Sequence, residues 1–317
     1  KQFNLNSIIL DFTPEDFLSS LKPMMWHLES PIGGLMNCGF KLIFEKANEL
    51  GITVLQDGTG LDEAFGGYQH HHNLFIAKAM IDSHPKLNSY VLDYMRTWCC
   101  TKKDVLIAAK RSINSKNLAI DGSSPIRKDV LSEEIKNFKS FSTNINFNTG
   151  NFLTDSLCNY LQIEKIPRNM KMKDRLSMAY SKELRLPFLD KRLIELGLSL
   201  PIELLFKDGL TKSVIREAFQ GIMDNRVRLA QKRSIQAPQG KWLKMQPMKS
   251  YINSILSSKS FAQRGLFKID ACKKAYDDYC SGEIKNSFFI WQWINIEEWF
   301  RVFVDKSPIL NKYYLNN

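Results

Sequence analysis

A chain of 317 residues that is 44% hydrophobic and 24% charged can bury a sizeable core, and its even composition excludes a disordered, collagenous or disulfide-stapled protein. Its 44 Lys and Arg outnumber 33 Asp and Glu, for a net charge of +11. The basic residues are spread along the whole chain and form no stripe, so nucleic acid is not an expected partner.

No apolar run reaches the roughly eighteen residues of a membrane helix, and no charged-then-apolar leader opens the chain. The six cysteines show neither a C-x-x-C pair nor a zinc spacing. A cytoplasmic protein with reduced thiols and no membrane partner is the expectation.

In chain order, Ser7 to Leu10 reads as a short strand. Thr13 then caps a helix with Pro14 at its first position and Glu15 and Asp16 in its first turn. A second helix is expected from about Asn37 to Leu50, closed by Gly51, and "ITVLQ" after it is a compact β run. This strand, helix, strand rhythm predicts an α/β fold opening on a partial parallel sheet. From about Leu74 onward the periodic segments are helical, interrupted by an Asn/Ser/Thr-rich loop from about Asn114 to Asn151. The expected organisation is one globule, with an α/β portion over about 1–73 and a large helical layer over about 74–317.

The stretch "TVLQDGTGLDEAFGGYQ", residues 53 to 69, places a glycine turn between a strand ending at Gln56 and a helix opening at about Leu61. That is the carboxyl end of a parallel strand, where open α/β sheets bind ligands. Gly58 and Gly60 let the backbone approach a ligand, and amides there can face phosphate oxygens. Asp62 and Glu63 beside such an anion site would repel it unless a Mg²⁺ bridged carboxylate and phosphate. The bland alternative is a helix start whose acids complement its dipole.

Two further stretches draw attention. Residues 172 to 201, "MKDRLSMAYSKELRLPFLDKRLIELGLSLP", embed Arg175, Glu183, Arg185 and Asp190 among apolar residues, which reads as ion pairs within a helical core. Residues 228 to 243, "RLAQKRSIQAPQGKWL", place a Lys-Arg pair in a loop bounded by Pro238 and Gly240, able to carry one cation into a site or to be solvated. Of the smaller features, His70 to His72 is expected at the surface and not as a metal site, because adjacent helix residues diverge. Cys99 and Cys100 read as one core and one boundary residue, and Trp291, Trp293 and Trp299 as the seal of a core.

Together "VLQDGTGLDEAFGGY", "DRLSMAYSKELRLPFLDKRLIELGLSLP" and "KDGLTKSVIREAF...RLAQKRSIQAPQGKWL" resemble, in order and spacing, the synthetase domain of the glutamine-dependent asparagine synthetase family. The resemblance covers essentially the whole chain. It implies a sheet of the ATP-pyrophosphatase type, with ATP and Mg²⁺ as cofactors. ATP activates a carboxylate as an acyl-adenylate, and glutamine-derived ammonia then attacks the acyl carbon. Asp62 matches the family's Mg²⁺-binding acid and is followed by Glu63, while Asp57, Gly58, Thr59 and Gly60 match the adenylate-contacting turn. Lys232 matches a lysine that neutralises charge on the phosphates. The form "DGxGxDE" followed by "GGY", with the tail "NSFFIWQWINIEEWF", is similar to the branch associated with surface-polysaccharide biosynthesis. That branch implies a sugar uronate as acceptor.

Two departures qualify the carry-over. Thr59 stands where asparagine synthetases carry a glutamate, and Asp57 replaces a serine. A threonine hydroxyl is no general base near neutral pH, which argues against aspartate as acceptor and leaves Glu183 as a positional candidate. No "SGGxDS" phosphate loop and no glutamine-hydrolysing cysteine domain occur in these residues, so a glutaminase domain or subunit is expected upstream, with a homodimer also open. Asparagine synthetase itself and a non-catalytic, partnered chain are the alternative readings.

Overall fold

The computed structural model describes residues 5–114, 127–137, 147–233, 236–284 and 286–305. Thr13 caps the helix Pro14–Leu28 through a reciprocal box: the Asp16 amide donates to the Thr13 hydroxyl at 3.2 Å, and the Thr13 amide donates to the Asp16 carboxylate at 2.9 Å. A 3₁₀ turn, Leu35–Gly39, leads into the helix Phe40–Glu49, and Gly51 at φ +66° turns the chain out of it.

The sheet is parallel, as expected, but its second strand comes from elsewhere. Strand β1, Val54–Gln56, pairs with β2, Glu183–Arg185, in the register Val54 to Glu183, Leu55 to Leu184 and Gln56 to Arg185. Residues 7–10 form no strand, Ile8 and Ile9 are exposed, and no strand among the described residues pairs with them. A second short strand pair, β3 (Phe206–Lys207) and β4 (Leu210–Thr211), is an antiparallel hairpin turned by Asp208 and Gly209, both at positive φ. Asp-Gly is the sequence that such a turn favours.

Apolar residues collect in two clusters. In the first, Phe17, Leu21 and Met25 of Pro14–Leu28 meet Ile290, Trp291 and Trp293 of the C-terminal helix Phe288–Phe303, with Phe17 edge-on to Trp291 at 5.6 Å. The tryptophan reading holds: Trp291 and Trp293 are buried, and Trp299 packs at the margin. The second cluster gathers helix Gln69–Ile81 with Val91, Tyr94, Leu153, Leu157, Leu205 and Phe206. Leu55 packs on the first cluster and Leu61, Ala64 and Phe65 on the second, so the glycine turn 57–60 bridges the two.

Several expectations are corrected. His71 and His72 are buried, not at the surface, because helix Gln69–Ile81 turns that side into the second cluster. Burial holds both imidazoles neutral, pushing His72 down to about 3, and Trp98 Nε1 donates to His72 Nδ1 at 3.0 Å. Neither of the vicinal cysteines is a core residue: Cys99 is exposed and Cys100 half-buried. The four charges singled out in residues 172–201 make local or surface pairs, Arg185 with Glu183 at 2.7 Å, Arg192 with Asp190 at 2.8 Å and Arg175 with Glu29 at 2.8 Å, and not a network within the core. Of the loop expected over 114–151, the described part holds a 3₁₀ turn, Lys128–Val130, and a short helix, Glu133–Lys136, and the remainder lies outside the described residues. Among the described residues no helix is long and apolar enough to cross a membrane.

Candidate functional site

The site is built on the turn that leaves β1. Gly60 sits at φ +105°, and a Cβ there would lie 2.4 Å from Leu189 Cδ2, so packing against the turn Pro187–Leu189 requires glycine. Gly58 is different, since a Cβ would meet nothing within 4 Å and the backbone is open on that side.

Asp57 and Thr59 close a knot with a lysine that the sequence reading did not single out. The Thr59 amide donates to Asp57 Oδ1 at 2.7 Å, and the Thr59 hydroxyl donates to the same oxygen. Lys173, buried on helix Ile166–Met178, donates to Asp57 Oδ2 at 2.7 Å and to the Thr59 hydroxyl at 2.6 Å. Burial alone would raise the Asp57 carboxyl, but the bonds from Lys173 and Thr59 outweigh it and hold the group ionised below its usual range. The Asp57 amide also continues the parallel ladder to the Arg185 carbonyl at 3.0 Å. Thr59 therefore has its hydroxyl engaged on both sides.

Five residues further on, Asp62 stands in the short helix Leu61–Ala64 and receives two ammoniums. Lys212 Nζ lies 2.5 Å from Oδ1 and Lys232 Nζ 2.5 Å from Oδ2. A Cβ on Gly67 would fall 2.0 Å from Asp62 Oδ1, so the second glycine of "GGY" clears the space this carboxylate occupies. Burial pushes Asp62 up, and the two lysines more than offset it, leaving the carboxyl below its ordinary value. Glu63 is buried and accepts a 2.6 Å hydrogen bond from the Tyr68 hydroxyl. Burial and the adjoining Glu63 push that hydroxyl far above its ordinary pKa, so Tyr68 keeps its proton and donates it to Glu63.

Two more cations border the acids. Lys165 follows a π-helical turn, Tyr160–Glu164, a distortion frequent at functional sites, and its Nζ lies 3.3 Å from the centre of the Tyr68 ring. Burial lowers this ammonium to about 8 against the opposing pull of Glu63 and Asp62. Arg216 donates to the carbonyls of Thr211, at 2.8 Å, and Arg228. Four cations, Lys165, Lys212, Lys232 and Arg216, thus surround two acids, Asp62 and Glu63. Such a surplus in a partly buried place suits an anionic ligand.

The structure brings Lys232 to Asp62 from 170 residues away in sequence, and it sets the Asp57 and Thr59 end of the turn apart on its own lysine. Glu183 stays on β2 in an exposed pair with Arg185. Lys165, Lys173, Lys212 and Arg216 were missed. The Asp208-Gly209 hairpin signal could have placed Lys212 at a hairpin exit, but nothing local marks Lys165 or Lys173.

The donor set does not fit a magnesium ion held by these residues. Both Asp62 oxygens carry ammoniums, Glu63 is turned to Tyr68, and no group of three or more His, Cys, Asp or Glu able to hold a metal occurs among the described residues. Mg²⁺ prefers near-octahedral oxygen ligands, which lysine-paired carboxylates do not offer. Asp62 and Glu63 were expected to hold Mg²⁺, and no metal site is found among the described residues.

The chain is an α/β protein that gathers lysines where a parallel strand ends. Residues 1–301 match the family model described as Asparagine synthase, and the chain belongs to that family. It is 26% identical over 323 aligned residues to "Asparagine synthetase [glutamine-hydrolyzing] 1" of Bacillus subtilis (strain 168), covering 93% of this chain and 48% of that protein. A shorter match, 43% identical over 51 residues, is to "Asparagine synthetase [glutamine-hydrolyzing] 3" of the same organism, over 16% of this chain and 8% of the relative. The chain spans about half the length of the curated relatives it matches over most of its own length.

Proposed function

We propose that this chain is the synthetase part of an ATP-dependent amidotransferase, a carbon–nitrogen ligase. An oxygen of the acceptor carboxylate attacks the α-phosphorus of ATP, the bond to pyrophosphate breaks, and ammonia then displaces AMP from the acyl carbon. The observation that carries the reading is the cation surplus around Asp62, in a member of the asparagine synthase family. In this reading Lys232 and Lys212 neutralise charge gathering on the departing pyrophosphate, the transition-state electrostatics that fixed ammoniums supply. Asp62 is their positioning residue. The open face of Gly58 receives the adenylate, and the Asp57, Thr59 and Lys173 knot keeps that turn rigid. The sheet is read as part of an ATP-pyrophosphatase-type sheet.

Ammonia from glutamine, delivered by a glutaminase domain or subunit, belongs to the same reading and is supported by the names of the relatives. The favoured acceptor class is a sugar uronate of a surface polysaccharide. What supports it is Thr59, whose hydroxyl lies between Asp57 and Lys173 where a glutamate would act on an aspartate-derived intermediate. The names of the relatives favour a second reading, aspartate as acceptor.

The test is carboxylate-dependent pyrophosphate release from ATP by the whole natural protein, with aspartate and a panel of nucleotide-linked uronic acids. Release with a uronate and not with aspartate supports the favoured acceptor, and the converse establishes asparagine synthesis. A folded protein silent with every acid refutes the ligase.

A further inference from the structure

The glycine turn 57–60 carries a carboxylate in the place where the proposed function brings polyanionic ATP. Its two polar side chains turn toward each other: the Thr59 hydroxyl donates to Asp57 Oδ1 and accepts from Lys173 at 2.6 Å. The Asp57 amide is engaged with the Arg185 carbonyl at 3.0 Å and the Thr59 amide with Asp57 Oδ1 at 2.7 Å. The Gly58 amide between them makes no hydrogen bond among the described residues, and a Cβ on Gly58 would meet nothing within 4 Å. What the turn offers a ligand is therefore its backbone at Gly58.

An uncompensated carboxylate beside that backbone would repel any phosphate, and strongly so in a partly buried place. Among the described residues the cation paired with Asp57 is Lys173, whose side chain is 11% exposed and arrives from helix Ile166–Met178, 116 residues away. Its ammonium lies 5.1 Å from the centre of the Phe40 ring and pairs with no second carboxylate among the described residues. Lys173 and Asp57 are thus matched one to one, whereas Lys212 and Lys232 share Asp62. A mere tie between helix and turn is lost with either partner. Charge neutrality is lost when one partner goes and returns when both go.

We infer that Lys173 is a positioning residue that cancels the charge of Asp57, so that the glycine turn accepts an anionic nucleotide through the backbone of Gly58. It acts through Asp57 and Thr59 and touches no ligand itself. The nucleotide as the anion rests on the proposed function, whereas the one-to-one pairing at the turn does not.

The test is calorimetric titration of ATP, without an acceptor carboxylate, into the whole natural protein and three variants, with urea melts alongside. Lys173→Gln keeps a donor at the knot and removes the charge, so ATP affinity should fall about tenfold or more, the size of one uncompensated charge in a partly buried place. Asp57→Asn keeps an acceptor for Thr59 and leaves Lys173 in excess, so ATP should bind as tightly as to the parent or up to about threefold more tightly. The double variant should return to within about twofold of the parent. Affinity weakened by both single variants and not regained in the double makes the pair a tie between helix and turn and overturns the inference, as does Lys173→Gln binding ATP like the parent. If Asp57→Asn does not fold, Lys173→Gln and the double variant carry the same decision. A parent that binds no ATP overturns the nucleotide reading together with this inference, whereas failure of the inference alone leaves the parent binding ATP.

Discussion

At two places among the described residues, acids adjacent in sequence are wholly or partly buried, and they are resolved in opposite ways. In the C-terminal helix, Glu297 and Glu298 are fully buried. Glu297 accepts from Arg264 at 3.1 Å, Arg301 at 2.8 Å and the Ser260 hydroxyl at 2.6 Å, and Glu298 pairs with Arg301 at 2.8 Å and Lys22 at 3.3 Å. Arg264 also forks onto Asp305, so three cations meet three acids. Around Asp62 and Glu63 four cations meet two. A balanced cluster joins helices, because its charges satisfy one another and leave nothing for a ligand. An unbalanced one carries a standing cost that an incoming anion relieves, and it lies at the carboxyl end of a parallel strand.

The largest expected effect breaks the balanced cluster. Glu297→Ala leaves Arg264 and Arg301 partly buried without their shared acceptor, and removal of one partner from such a pair destabilises by about 3–5 kcal/mol. Urea unfolding should show the loss directly. Any folded fraction should bind pyrophosphate as the parent does, and a variant as stable as the parent would mean that the network contributes nothing.

At the unbalanced cluster the effects should fall on chemistry. Asp62→Asn frees Lys212 and Lys232 from their common anchor, and carboxylate-dependent pyrophosphate release should fall to background while the protein remains folded by circular dichroism. Unchanged release would remove Asp62 from the positioning role. Lys232→Ala should slow the chemical step by about 10²- to 10³-fold, as loss of one fixed transition-state charge does. Its melting temperature should barely move, since the Lys232 side chain is partly exposed and ends on a loop. Unfolding with no separate effect on rate would make that lysine structural.

These contrasts also explain what the sequence could disclose. Signals confined to a few residues were readable: the Thr13 capping box, the glycine turn after β1, the buried tryptophans. Lys232 and Asp62 were legible only as members of separate stretches, because no periodicity reports that residues 170 apart meet. β2 was hidden because three residues, Glu-Leu-Arg, are too short for an alternation signal and lie among helices. Lys173 and Lys165 look like ordinary lysines of a basic helix until tertiary packing buries one against Asp57 and sets the other over Tyr68. The histidines misled for the same reason, since helical spacing alone does not say which side a second cluster will cover.

The smallest and most selective prediction concerns pH. Lys165 is lowered to about 8 chiefly by burial, while its unfolded counterpart stays at the ordinary lysine value near 10.5. Below about pH 8 both states hold the proton, and this residue gives stability no pH dependence. Between about 8 and 10.5 the unfolded chain holds it longer, so the contribution of Lys165 to stability rises with pH. Anion affinity should move the other way across the same interval, because the surplus around Asp62 loses one of its four charges. Pyrophosphate titrations and urea melts at matched pH values should therefore diverge above about pH 8, and Lys165→Met should flatten both trends. If affinity declines equally steeply in Lys165→Met, the charge being lost belongs to another group, and Lys165 is only the lid on the Tyr68 ring.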